Sequence, residues 1–215
     1  MSHNRQSIAR GLFFSFEGID GSGKSTQARL MADALRAAGE TVVTVPEPGG
    51  TPLGEAVRAL LLDPEASITP RAEALLFAAA RAQLVETVIE PALLAGRHII
   101  ADRYVDSTTA YQGAGRMLGK TVEDVSAFAT SGCMPDRTYL VTLSPDEALK
   151  RRLDRTSDRM ELMPDDFRAR ILSAYADLAA ENSARILTID GAEEPEVISE
   201  IILRDAQALL NRQVH

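Results

Sequence analysis

Gly18-Ile-Asp-Gly-Ser-Gly-Lys-Ser25 carries the spacing G-x-x-x-x-G-K-[ST] in full. Each residue type in that pattern has a task in holding a polyphosphate. Gly18, Gly21 and Gly23 let successive backbone N–H groups converge on phosphate oxygens. A helix that follows directs its positive end at the same anion. Lys24 would neutralise charge on the β- and γ-phosphates, and the Ser25 hydroxyl would ligate Mg²⁺. Ile19, Asp20, Ser22 and Thr26 complete the cradle around them. A glycine turn carrying a surface lysine is the plainer alternative. The pattern stands between an extended apolar run and a helical one, however, and that is the context it requires. Nucleotide binding follows; the reaction does not.

Three more groups could do chemistry. Phe77 and Arg81 are four apart, so on a helix they stand side by side, a ring to stack on a base and a guanidinium to reach its edge. By position alone Phe77 also reads as core packing in an alanine-rich helix. Asp102 and Arg103 directly follow an apolar strand, at the edge where open α/β sheets collect ligands. A structural Asp–Arg pair would look the same. Between Lys150 and Arg170, basic residues crowd around Thr156, Ser157, Met163 and Pro164, which break the helical pattern and make a flexible lid over about 151–165. Acidic residues interleave there, so a solvated helix with i,i+4 pairs is the alternative.

The elements that must position these groups alternate in type. Apolar, β-branched or aromatic runs at Leu12–Glu17, Thr41–Val45, His98–Ala101, Thr138–Leu143 and Arg185–Ile189 read as strands. Helical spacing fills Lys24–Ala38, Leu53–Leu62, Pro70–Leu94 (with Pro91 a kink) and about Glu194–Asn211, and Pro145 opens another helix. Gly113 to Gly119 separates two further helices. Strands alternating with helices imply right-handed crossovers and a parallel sheet covered on both faces. The expected fold is therefore α/β of the P-loop NTPase kind, three layers α/β/α, as one domain over residues 1–215.

Composition narrows the class. The 215 residues include 23 Lys and Arg against 31 Asp and Glu, a net charge of −8, with 45% apolar residues. That excludes bulk disorder and argues against nucleic acid as a general partner. One cysteine, Cys133, rules out an internal disulfide framework and reads as a small buried side chain. No apolar run reaches the roughly 18 residues that cross a bilayer, and the expectation is a cytoplasmic protein with no membrane partner. A guanine-reading N-K-x-D motif is absent, and no apolar strand ends in the paired Asp-Glu of motor ATPases.

Beyond the phosphate cradle, Glu47-Pro-Gly-Gly-Thr51, Leu76-Phe-Ala-Ala-Ala-Arg81 and Asp102-Arg-Tyr-Val-Asp-Ser-Thr-Thr-Ala-Tyr-Gln-Gly113 resemble the thymidylate kinases, from about Phe13 to beyond Asp190. The resemblance implies transfer of the ATP γ-phosphoryl group to dTMP by a homodimer with a five-stranded parallel sheet and a mobile helical lid. Another nucleoside monophosphate or deoxynucleoside kinase would share the chemistry. It further implies that Phe77 stacks on thymine while Arg81 reaches its O4, and that Arg103 grips the 5′-phosphate. Asp102 would orient the Mg²⁺ water shell or hold Arg103. Ser107, Thr108, Tyr111 and Gln112 would meet the base N3 and O2 edge and crowd C2′. Asp20 would bond the 3′-hydroxyl, Arg58 the phosphate, and Glu47 would stand near Mg²⁺ and the acceptor. Asp20 also reads as a turn former, and Arg58 as a solvated helix charge. The cradle interior holds no arginine, which points to the type with catalytic lid arginines, Arg155 first and Arg159 second. Pro46 stands where relatives often carry arginine, and Thr142 where they often carry aspartate.

Overall fold

The computed structural model describes residues 9–151 and 164–213. Five parallel strands, β1 (Phe13–Glu17), β2 (Val42–Pro46), β3 (His98–Asp102), β4 (Arg137–Thr142) and β5 (Ile186–Asp190), form one sheet in the order β2-β3-β1-β4-β5. Every observed strand lies within a residue of its expected bounds. β1 is central and buried along its whole length, as a continuous apolar run in a parallel sheet requires.

Strand alternation sorts its side chains. Phe14 and Phe16 pack with Met31 and Leu35 of α1 (Lys24–Ala37) and with Ile198 and Ile202 of α9 (Pro195–Gln213). Phe13, Ser15 and Glu17 face the opposite layer, where Phe13 packs with Ile89, Leu93 and Tyr104. Two polar residues are thereby carried into the core on one face. Register then aligns the strand ends: Phe16 pairs with Asp102, and Pro46 pairs with Asp102 from the other side. The residues just past these pairs, Glu17, Glu47 and Arg103, converge at one edge of the sheet.

The remaining elements are α2 (Pro52–Leu62), α3 (Pro70–Leu84), α4 (Glu90–Leu94), α5 (Val105–Thr108), α6 (Thr121–Thr130), α7 (Pro145–Lys150) and α8 (Asp165–Glu181). α3 reaches α4 through a π-helical turn, Val85–Ile89. Pro91 has no N–H to give and its ring crowds the preceding turn. The chain widens just ahead of it, so the expected kink takes the form of a π turn.

The glycine segment after α5 departs from expectation. Thr109–Gly115 continues the helix as a second π segment, and the break comes only at Arg116. These glycines serve close packing: a Cβ on Gly115 would lie 2.6 Å from the Phe167 ring of α8. Among the described residues no helix is long and apolar enough to cross a membrane. The expected lid residues Arg155 and Arg159 lie outside the described residues.

Candidate active site

A cleft of about 710 Å³ opens at the carboxyl edge of the sheet, bounded by the loops after β1, β2 and β3. Its floor is the phosphate cradle. Gly18 has φ of +138°, and a Cβ there would stand 2.3 Å from the Val141 carbonyl oxygen, so only glycine lets the loop lie this close to β4. Gly21, Gly23, Ser25 and Thr26 line the cleft. Gly18 and Ile19 turn to the opposite side, where a smaller apolar cavity lies against Leu140 and Tyr175.

Two cations meet over one carboxylate. Asp20 Oδ1 accepts from Lys24 Nζ at 3.0 Å and from Arg103 Nη2 at 2.7 Å. Burial pushes the Asp20 carboxyl up, but Arg103 and Lys24 outweigh it and hold it well below the usual carboxylate range. Burial also lowers the Lys24 ammonium, and Arg103 adds to that, while Asp20 opposes both. Lys24 and Arg103 thus bring two cations together at this point of the cleft, bridged by the Asp20 carboxylate.

Arg103 is the most constrained side chain in the site. Its φ of +73° is a left-handed conformation rare outside glycine, fixed by its N–H donating to the Phe16 carbonyl at 2.9 Å. Its guanidinium donates to the Gly18 carbonyl and to Ser107 Oγ, both at 3.0 Å, and to Tyr111 Oη at 3.2 Å. It also lies 5.0 Å from the Tyr111 ring centroid. Both terminal nitrogens of the planar fork are held by acceptors within the fold.

Beneath Arg103 sits Glu17, which the sequence reading passed over. Its Oε1 accepts from the Tyr104 N–H at 2.7 Å, and its Oε2 accepts from Ser107 Oγ at 2.5 Å and Tyr175 Oη at 3.0 Å. Burial, then the nearby Asp106 charge, push its carboxyl up to about 7, against the pull of these hydrogen bonds. Asp106 is itself held by both guanidinium nitrogens of Arg185, at 2.7 and 2.8 Å. A charged residue ending an aromatic strand is the one sequence signal that could have flagged Glu17. Nothing local pointed to Tyr175 or Arg185.

The expected substrate residues divide into two sets. Phe77, Tyr111, Gln112, Arg58, Glu47, Asp102 and Arg103 line the cleft. Phe77 is half-buried, packed against Val57, Leu61 and Ala80 while it borders the opening. Arg58 donates to the Pro48 carbonyl at 2.8 Å. Arg81, Ser107 and Thr108 do not line it. Arg81 donates to Glu47 Oε2 at 2.7 Å and to the Tyr104 carbonyl at 3.2 Å. Ser107 is engaged by Glu17, Arg103 and Tyr175 rather than by the cleft, and Thr108 is buried.

Several buried polar atoms here have no hydrogen-bonding partner among the described residues: Ser22 Oγ, Glu47 Oε1, Arg81 Nη1 and Asp102 Oδ1. Unpaired buried polar groups are costly unless a ligand completes them. A hydroxyl at Ser25 and a carboxylate at Asp102, both on the cleft, are the hard oxygen donors that suit Mg²⁺. Among the described residues no cluster of three metal-binding side chains occurs. A cation held mainly by substrate phosphates and water fits that arrangement.

An all-parallel α/β sheet with a phosphate cradle after β1 and a strained arginine after β3 defines a P-loop phosphotransferase. A family model described as thymidylate kinase matches residues 16–202, and the chain belongs to that family. It is 47% identical over 205 residues to a thymidylate kinase of Bifidobacterium longum, covering 93% of this chain and 98% of that protein. It is 42% identical to one from Caldanaerobacter subterraneus, over 94% and 97% of the two chains. The crystal structure of thymidylate kinase from Ehrlichia chaffeensis superposes with a TM-score of 0.74 at 29% identity, over 92% of this chain and 99% of that one.

Proposed function

We propose that this chain transfers the γ-phosphoryl group of ATP, with Mg²⁺, to the 5′-phosphate of dTMP, giving dTDP and ADP. The observation that carries this reading is the Lys24–Asp20–Arg103 bridge. One carboxylate joins the cation of the donor cradle to the cation at the end of β3, so donor and acceptor phosphates would meet there. Incoming phosphates take the Lys24 ammonium and the Arg103 fork, and Asp20 is released to accept from the dTMP 3′-hydroxyl.

Lys24 and the cradle N–H groups hold the β- and γ-phosphates while an acceptor oxygen attacks in line. Arg103 fixes the acceptor phosphate bidentately, with Arg58 behind it. Ser25 and Asp102 would hold the hydrated Mg²⁺, which supplies charge neutralisation at the transferring group. Phe77 stacks on thymine, Arg81 Nη1 reaches its O4 carbonyl, and Tyr111 crowds C2′ so that a ribose hydroxyl is excluded. Thr108 and Ser107 support the base edge from beneath. Arg155, with Arg159 second, would add positive charge at the γ-phosphate, and closure over the nucleotides of a lid of about 151–165, most of which lies outside the described residues, would exclude water.

The protein acts as a cytoplasmic homodimer in this reading. α3 packs between α2 and α6, and that layer leaves Leu60, Leu75 and Phe128 exposed, Phe128 at 91%. Such an apolar patch fits a second copy of the chain. ADP release measured with dTMP, dUMP, dCMP, AMP or no acceptor tests the substrate. The largest rate is expected with dTMP, and a larger one with AMP would end the assignment.

A further inference from the structure

Glu73 belongs to the face of α3 that also carries Phe77 and Arg81, one helical turn before the first. It is fully buried (0% exposed), which a carboxylate tolerates only when paired. Arg116 supplies the pair, with Nη2 at 2.8 Å from Oε2 and Nε at 3.1 Å from Oε1. The same Oε1 accepts from the Gln112 amide nitrogen at 2.9 Å. With donors facing both of its oxygens, the Glu73 carboxylate takes the acceptor's part in this contact. It therefore fixes which end of the Gln112 amide is which: nitrogen inward to Glu73, oxygen toward the cleft that Gln112 lines with Phe77 and Tyr111.

We propose that Glu73 is a positioning residue that presents the Gln112 carbonyl oxygen to the acceptor base and so selects a pyrimidine bearing N–H at N3. The inference rests on the reading of this cleft as the thymidylate site and names the device by which it discriminates. Thymine and uracil offer a donor at N3. Cytosine offers a lone pair there, which would face the amide oxygen, acceptor against acceptor. A site built to hydrogen-bond one partner rejects the analogue that cannot answer, because its polar group is left unpaired. Were the amide free to rotate, either end could face the base and the selection would weaken.

Glu73→Gln tests this, since an amide at position 73 can donate as well as accept and no longer dictates the orientation of Gln112. The expected result is a KM for dTMP raised about tenfold, the size of one hydrogen bond of modest strength. The KM for ATP and kcat should change less than about twofold. The preference for dTMP over dCMP, as a ratio of kcat/KM, should fall about tenfold. Adding Gln112→Glu should restore the preference, because the amide introduced at 73 then donates to the carboxylate introduced at 112, whose second oxygen again faces the cleft. A lowered melting temperature with an unchanged dTMP-to-dCMP ratio would overturn the proposal and leave Glu73 a purely structural residue. If Glu73→Gln does not fold, Gln112→Met decides: it keeps side-chain length and removes the acceptor, and an unchanged ratio refutes. A wild type that transfers to dTMP but whose Glu73→Gln form keeps its selectivity contradicts the role of Glu73 alone. A wild type inactive on dTMP contradicts the site reading and this inference with it.

Discussion

Replacing Glu17 by glutamine should change how stability depends on pH. The Glu17 carboxyl is buried under Arg103 and titrates near 7 rather than at its ordinary 4.5. The folded protein thus holds this proton more tightly than the unfolded chain does. Glu17 favours folding most below about pH 4.5, and that contribution is lost as pH rises through 7. Each tenfold change in proton affinity is worth 1.36 kcal/mol, so the loss across this window is on the order of 3 kcal/mol. Glutamine keeps the shape: its oxygen still accepts from the Tyr104 N–H, its amide nitrogen takes the place beside Ser107 Oγ, and it does not titrate. Denaturant unfolding of both proteins at pH 4.5, 6 and 8 reads the effect as the difference between two chains that differ at this one carboxyl. The wild type should lose about 3 kcal/mol relative to Glu17→Gln between the lowest and highest pH. A constant difference across the range, or a wild type that gains on the variant as pH rises, would refute the reasoning.

Other outcomes follow from the same contacts. Lys24→Met should lower kcat about 10²–10³-fold, the usual effect of removing one donor aimed at developing charge, as steady-state kinetics would read. Arg155→Ala should lower kcat about 10³-fold or more with small changes in either KM; undiminished turnover would move that role to Arg159 or Arg152. Phe14→Ala opens the centre of β1, where the ring is fully buried and stacked at 6.2 Å on Tyr139. A loss of about 3–5 kcal/mol in equilibrium unfolding is expected. Phe128→Asp should convert a dimer to a monomer in sedimentation without unfolding it, and a dimer of unchanged strength would relocate the interface.

Strands were readable because parallel sheets demand unbroken apolar runs, and Phe13–Glu17, Val42–Pro46 and Ile186–Asp190 have few rivals in the chain. The cradle was readable for another reason: its chemistry is local, eight residues that perform their task without distant help. Gly113 and Gly115 misled the reading, since glycine signals a break when only the local chain is considered. Here the requirement is tertiary: Phe167 approaches Gly115 from α8, and Val122 approaches Gly113 from α6. The buried acids Glu17 and Glu73 were missed on the same ground. Their partners, Tyr175 and Arg116, are remote in sequence, and only the fold brings them within hydrogen-bonding distance. Arg81 illustrates the intermediate case: helix spacing placed it correctly beside Phe77, yet its guanidinium turns inward to Glu47, a partner that spacing alone does not reveal.

In the proposed reaction a phosphoryl group passes from a triphosphate to thymidylate at the Lys24–Asp20–Arg103 bridge. Phosphorus NMR of ATP and dTMP mixed with the protein and magnesium follows that transfer atom by atom. Resonances of ADP and dTDP should grow together in equal amounts, with no free phosphate. Inorganic phosphate accumulating while the dTMP signal stays unchanged would contradict the account.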